Sequence, residues 1–548
     1  MKWDPWRVAL AGALVAALAT LPGLGAGTLW DNSETTYGEV AREILLDGNW
    51  VVMHLNGDAW FVQPPLYFWI AAIFAKFFGI NEFALRLPSA LATIAMSGAV
   101  GYVVTRTANA RAGLLAAIVL ATALMQAIVG RLAIMDALLD LAVALAILAW
   151  FGALEKGDAR FWYAGWIALG LGTLAKGLVA PVAVALVVVP WALWNRAVWG
   201  RFESPRATAW LVGPALFAIV VLPWVLALAH AAGVSALGEL FGHYTVGRYL
   251  GTIENQPGPI WYYVPVVMLG FFPWIAFLVP ASLEGWRDAR TEGGSSSLAR
   301  LAIVWAIVPF VFFSLAKTKL PNYIALELPA LAILVALWFD RVVEREDRRA
   351  ALVWTAAVPA SIVLLGVAVA IFSHNNSLGG AFAQVRGDLL ALGIVVFVGS
   401  VACFALLFAK RTAPFAPFAL GGTSVAALAV IALVALPSVE RFKPVPQFAR
   451  IINARLRPGD VVAIQSASGG NSLTFYTHPV VAHLDGPFEK PRSPASDPKR
   501  IVCAASRAFV VSKIEWRNDY PTYGRSLHEV AVSNTSILYL YDGPRCGT

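Results

Sequence analysis

The chain has 548 residues, of which 59% are hydrophobic and only 14% charged, with a mean hydropathy of +0.69. That balance excludes an ordinary soluble domain, because uncharged runs recur along the chain, each about long enough to cross a hydrocarbon core of roughly 30 Å. Inside lipid every backbone polar group must be bonded within its own segment, so the expected fold class is an all-α polytopic membrane protein. The net charge of +8 is spread over short loops between apolar runs. That is the positive-inside pattern beside an anionic leaflet, not a nucleic-acid-binding face.

In chain order, Lys2 and Arg7 precede an apolar run from Val8 to about Leu29. It has the make-up of a signal peptide, but its length and the spans after it favour a retained first helix. Further spans are expected at about 88–105, 112–130, 137–154, 161–175, 178–195, 209–230, 260–281, 299–316, 323–339, 350–372, 388–409 and 414–436, about thirteen in all. With the N-terminus in the cytoplasm, the loops at 106–111, 155–160, 196–208, 282–300, 340–349 and 410–413 face inward, and each holds at least two Lys or Arg. Segments 30–87, 231–259, 316–322 and 373–387 and the tail after 437 then lie outside.

The first outer segment reads "LWDNSETTYGEVAREILLDGNWVVMHLNGDAWFVQPPLYFW". Tyr37, Val40, Ala41, Ile44 and Leu45 recur at helical spacing, with Glu39, Arg42, Glu43 and Asp47 on the other face and Gly48 as a stop. The run 64–78, opened by Pro64 and Pro65, is apolar but too short to cross. Both segments are expected as interfacial helices at headgroup level, with Asp31 and Glu34 at their entrance. The ordinary reading is that Asp31 or Ser33 caps the first helix, that Glu34 favours its first turn, and that the other charges form a solvated face.

Other outer ends carry mixed charge. "GRLAIMDALLD" holds Arg131, Asp136 and Asp140, the two acids one helical turn apart. "LAKGLVAP" holds Lys176; "HYTVGRY" holds His243, Tyr244, Arg248 and Tyr249; "LAKTKLPNYIALELP" holds Lys317, Lys319, Tyr323 and Glu327. Each has an ordinary reading: a snorkelling lysine, a loop histidine, an aromatic belt, a structural Arg131–Asp136 pair. Taken jointly, acids, bases and tyrosines gather at the outer span ends while the inner loops are simply basic. Such a site suits a phosphate-headed lipid substrate, with cations on the phosphate and a carboxylate on an acceptor hydroxyl.

From about Pro437 the composition changes. "GDVVAIQS", "HPVVAHL", "RAFVVSKI" and "TSILYLY" read as strands and "VPQFARIINARL" as an amphipathic helix. The expected organisation is a transmembrane domain over 1–437 and a small soluble α/β domain over 438–548. Cys403, Cys503 and Cys546 form no CxxC or Cys/His cluster, so no metal site is expected. Whether Cys503 and Cys546 pair stays open, an oxidising compartment permitting it.

"SETTYGEVAREILLDGNWVVMHLNGDAWFVQPPLYFW", "NEFALRLPSA", "GRLAIMDALL", "LGTLAKG", "GPIWYYVPV" and "TKLPNYIALELPALAIL" together resemble the lipid A aminoarabinose transferase and protein O-mannosyltransferase group of GT-C glycosyltransferases. The resemblance covers the chain to about residue 340. It implies an inverting transfer of sugar from an undecaprenyl-phosphate donor to lipid A, a glycan or a protein, at the outer face of a bacterial inner membrane, without metal or other cofactor. By matching motifs, the base is Asp31 or Glu34, since Ser33 stands where the family's first acid is expected. Asp136 matches the second acid, and Tyr37 the tyrosine of the helix motif. Gln63 replaces a lysine before the double proline, so one phosphate-binding cation is missing; Arg248, Lys319, Lys317 or Arg131 would compensate. Arg248 matches a phosphate-binding arginine, Lys319 and Tyr323 match "SKLP-x-Y", and His243 joins the substrate-binding cluster. The competing readings are a lipid or sugar carrier, which needs a polar path through the bilayer, and a degenerate relative that only binds lipid.

Overall fold

A computed structural model describes residues 3–30, 33–195, 207–251, 256–291, 294–344, 351–360, 379–440, 443–465, 470–477, 480–544 and 546. Asp31 and the second half of the expected span 350–372 lie outside the described residues. The chain forms two compact units. One comprises Met1–Ala26, Phe61–Ile70 and Arg86–Leu436; the other comprises Gly27–Trp60, Ala71–Leu85 and Pro437–Thr548. The division differs from the one expected at residue 437, because most of the first outer segment groups with the tail.

The first unit is helical. Among the described residues, seven helices are long and apolar enough to cross a membrane: Glu82–Thr107, Asp136–Glu155, Ala209–Ala232, Ser295–Leu315, Pro321–Val342, Gly387–Leu406 and Ala413–Ser438. Length and apolarity therefore do not give thirteen spans. The run 8–29 forms only Pro5–Thr20, started by the Asp4 carboxylate on the Trp6 N–H and stopped just before Pro22. At 1.5 Å per residue that helix is about 24 Å long. The run 112–130 breaks at Ala123, which is extended, into Ala110–Thr122 and Leu124–Val129. The run 260–281 splits into Tyr263–Gly270 and Trp274–Ala289, bent by 107°, at a stretch that contains Pro273, which has no N–H to give.

Close approach and satisfied polar groups hold these helices together. A Cβ on Gly113 would lie 2.0 Å from Thr105 Oγ1 and 2.7 Å from the Gly101 carbonyl, so only glycine lets these helices meet. Buried tryptophans place their N–H groups: Trp191 on the Ser297 carbonyl, Trp305 on the Leu326 carbonyl and Trp274 on Thr122 Oγ1. At the ends expected to face inward, Arg111 Nε donates to Asp340 Oδ1 at 2.5 Å and Asn109 to Oδ2 at 2.6 Å. Ser297 Oγ accepts from Asn195 and donates to Glu155, while Arg300 donates to Asn195 Oδ1.

In the second unit a hairpin of β1 (His54–Leu55) and β2 (Asp58–Ala59) precedes a five-stranded sheet. Its strands are β3 (Val461–Gln465), β4 (Val481–Leu484), β5 (Ala508–Lys513), β6 (Ser526–Val532) and β7 (Ser536–Asp542). The order is β4-β3-β5-β7-β6, with β4, β3 and β5 parallel and the rest antiparallel. The helix Pro444–Arg455 packs Val445, Phe448, Ala449 and Ile452 into one core face of the sheet. Tyr520 and Tyr539 stack at 4.2 Å in the core on the other. Cys503 and Cys546 are disulfide-bonded, and Cys403 is a buried free thiol. The helix Glu34–Asp47 ends on Gly48 at φ 73°, a conformation that glycine adopts without penalty. Its charged face is solvated only in part: Asp47 is exposed, but Arg42 pairs with Glu39, and both are buried. Thr36 accepts from Asn471 of the helix Gly470–Thr477, and Tyr476 of that helix donates to Glu82.

Candidate functional site

Within the first unit lies a cavity of about 320 Å³, in the range of small-molecule sites, about 300–1,000 Å³. Four stretches of chain supply its charged and amide groups. Gln63 precedes the helix Leu66–Phe78; Asp136 and Asp140 lie in the first two turns of Asp136–Lys156; Lys176 ends Ala159–Lys176; Asn322 and Tyr323 lie on the 3-10 turn Pro321–Glu327. The other walls are apolar, from Leu139, Val179, Val182, Leu240 and Phe312 among others.

Asp136 is the hub. Its Oδ1 accepts from Lys176 Nζ at 2.5 Å and from Asn322 Nδ2 at 2.7 Å, which ties three separate elements together. Lys176 Nζ also stands 5.0 Å from the Tyr323 ring centre, a cation–π contact. Asp140, one turn along, is 2% exposed, and its Oδ2 is buried with no hydrogen-bond partner. The site thus combines a held cation, a paired carboxylate and an unpaired one at an apolar cavity.

The wall made by Tyr244, Tyr249 and Leu250 comes from the π-helix Gly238–Gly247 and the turn Arg248–Leu250. Tyr249 stacks on Phe312 at 4.6 Å. Backbone pairing fixes this wall: Lys317 N–H donates to the Tyr249 carbonyl, Thr318 Oγ1 to the Gly251 carbonyl and Lys319 N–H to the Gln256 carbonyl.

Of the residues given a site role from sequence, the structure brings Gln63, Asp136 and Tyr323 to the cavity, and of the others named at the outer span ends it brings Asp140, Lys176, Tyr244 and Tyr249 there too. It uses others elsewhere. Arg131 does not pair with Asp136 and does not line the cavity; its guanidinium donates to the carbonyls of Thr20 and Pro22, closing the end of the first helix. Burial, with Arg86 nearby, pulls Arg131 down to about 10. The Lys319 ammonium donates to the Phe313 and Ser314 carbonyls at 3.0 and 2.6 Å, at the C-terminal end of Gly294–Leu315. Burial lowers its pKa. Lys317 is exposed, and His243 is exposed with its ring on Tyr244. Arg248 lies in the turn Arg248–Leu250, next to two lining residues. Glu34 and Tyr37 belong to the second unit: Glu34 accepts from the Trp30 N–H, Ser33 gives its helix no side-chain cap, and Tyr37 packs edge-on to Trp60. The sequence reading left out Asn322 and gave Lys176 and Asp140 no role. The turn spacing of Asp136 and Asp140 was the available signal for one of them.

Comparison with known proteins decides the family. A family model described as dolichyl-phosphate-mannose-protein mannosyltransferase matches residues 62–226. The undecaprenyl phosphate-alpha-4-amino-4-deoxy-L-arabinose arabinosyl transferase 1 of Sodalis glossinidius is 31% identical over 407 residues, 72% of this chain and 70% of that protein. The chain belongs to this arabinosyl transferase family. The Erwinia tasmaniensis transferase of the same name is 32% identical over 348 residues, which cover 60% of this chain and 59% of the relative. The chain therefore spans less than two thirds of that relative's length. Among solved structures, ArnT from Cupriavidus metallidurans bound to undecaprenyl phosphate is similar over 97% of this chain and 98% of its own, with TM-score 0.81 at 21% identity. An Archaeoglobus fulgidus oligosaccharyltransferase is similar over 93% and 69%, with TM-score 0.53 at 13% identity. The arabinosyl transferase family and the GT-C fold are thus shared.

Proposed function

We propose that the chain is an integral membrane glycosyltransferase that moves a sugar, of the 4-amino-4-deoxy-arabinose kind named for its relatives, from undecaprenyl phosphate to an envelope acceptor such as lipid A. The observation that carries this reading is the two-faced cavity: a charged group built on Asp136, Lys176, Asn322 and Tyr323, bounded by apolar walls that match an isoprenoid chain. In the transfer, the acceptor oxygen bonds to the anomeric carbon while the bond to the lipid phosphate oxygen breaks and the lipid phosphate leaves. Charge grows on that phosphate, so a cation held in a water-poor site lowers the barrier. Lys176 is the candidate cation, Asp136 and Asn322 keep it in place, and Arg248 is the second candidate from the family motif. Asp136 is also the candidate second acid. By the family motif the acceptor-activating base is Asp31 or Glu34. The Cys503–Cys546 disulfide supports an oxidising compartment, hence a periplasmic tail, and the basic loops support a cytoplasmic N-terminus.

The test is reconstitution of the purified full chain in lipid nanodiscs with the undecaprenyl-phosphate aminosugar and lipid A. A product heavier by one sugar residue, with release of undecaprenyl phosphate by mass spectrometry, is expected. Binding of the donor with no turnover on any acceptor tried, lipid, glycan or protein, would favour the lipid-binding relative instead.

A further inference from the structure

The Asp140 carboxylate has no part in the roles assigned above. It lies one helical turn from Asp136, lines the same cavity and is 2% exposed, and its Oδ2 has no donor. Burying a carboxylate without a partner is costly, and an ionisable side chain inside a membrane helix is retained chiefly where something in the cavity answers it. Its neighbours do not supply that answer. The Asp136 carboxylate is already matched by the Lys176 ammonium and the Asn322 amide. Among the described lining residues the ionisable side chains, tyrosines apart, are two carboxyl groups and one ammonium, so with both acids ionised the site carries an excess of one negative charge. A lipid phosphate would add to that excess. A cationic group on the transferred sugar would cancel it.

We propose that Asp140 is a specificity-determining residue that receives the protonated amine of an aminosugar on the donor. This rests on the transferase reading and names the part of the cavity that reads the sugar. An ammonium donates to Oδ2, the orphaned acceptor gains its hydrogen bond, and the charge of the site is balanced. A neutral sugar with a hydroxyl in place of the amine supplies a weaker hydrogen bond and no charge. Discrimination against it therefore comes from a buried anion left uncompensated.

The experiment compares two donors on the purified full chain: undecaprenyl phosphate carrying 4-amino-4-deoxy-arabinose, and the same lipid carrying arabinose, with lipid A as acceptor. In wild type the aminosugar donor should be preferred in kcat/KM. Asp140→Asn keeps the shape and removes the charge, so it should lower that preference at least tenfold, mainly by raising KM for the aminosugar donor while the arabinose donor holds or improves. Asp140→Ala should behave alike. Both variants should melt at or above the wild-type temperature, because an unpaired buried carboxylate has gone. An unchanged donor preference, or an equal fall for both donors, overturns the assignment. Failure of both variants to fold also overturns it, because Asp140 would then be part of the packing. Wild type that transfers neither sugar contradicts the transferase reading itself.

Discussion

Two polar clusters inside the first unit differ in one respect. Around Asp340, both carboxylate oxygens are occupied, by Arg111 and Asn109, and the nearby Glu155–Ser297–Asn195–Arg300 chain passes each hydrogen bond to the next. Around Asp136 the group borders a cavity, and Asp140 Oδ2, lining the same cavity, is unmatched. The first arrangement is what a buried ionic cluster needs in order to hold helices together. The second is incomplete by itself, and under the proposed reading a ligand completes it. Satisfied clusters should therefore cost stability when broken and leave transfer per folded molecule alone, whereas breaking the cavity cluster should lower transfer per folded molecule.

The largest effect is expected at Lys176. Lys176→Ala should reduce transfer per folded molecule about a hundredfold or more, as loss of one charge-stabilising donor does elsewhere, on top of the stability lost when the buried pair with Asp136 is broken. Loss of stability with transfer per folded molecule retained would put Lys176 with the structural clusters. In the second unit, replacing both Cys503 and Cys546 by serine opens a link across 43 residues of sequence. On a chain-entropy account that removes about 4 kcal/mol, visible as faster hydrogen exchange in β5–β7 with transfer per folded molecule retained. Arg111→Ala leaves Asp340 with Asn109 alone and should cost about 1–2 kcal/mol, since the arginine is partly exposed; a lower melting temperature with normal transfer is the expected pair of results. The smallest effect concerns acid. Burial pushes the Asp460 carboxyl up, but hydrogen bonds from Arg507 and the Arg457 N–H outweigh it and leave it below the ordinary range. A depressed carboxyl gives stability that is complete above the unfolded value, about pH 4, and is lost as pH falls through the folded one. The gap in melting temperature between wild type and Asp460→Asn should therefore shrink from pH 7 to pH 3, and a constant gap would place the difference elsewhere.

How much of this was legible in the sequence depends on the kind of signal. Apolar run length gave the membrane class, and Gly48 and the Pro64–Pro65 pair marked the ends of helices that do form. Short apolar runs bounded by Gly, Pro, Asn and Asp found β3, β4, β5 and β7. β6 was missed because "SLHEVAV" is an edge strand with mixed, mostly exposed side chains. Breaks at Ala123 and near Pro273 were invisible to a window that averages hydropathy over a span. At the site, motif matching found Gln63, Asp136 and Tyr323. It could not separate cations that meet a cavity from cations that close helix ends. Arg131 and Lys319 look like ligand-binding bases in the sequence and bind backbone carbonyls in the fold. Lys176 looks like a snorkelling anchor and is the cation that Asp136 holds.

The central claim is that this cavity receives the lipid-linked donor. A cryo-electron microscopy structure of the full chain in nanodiscs with undecaprenyl phosphate tests it most directly. The expected result is a phosphate in the space between Gln63, Lys176 and Tyr323, with the isoprenoid running along Val179, Val182 and Phe312. A lipid phosphate bound outside this cavity, with Lys176 still paired to Asp136, would contradict it.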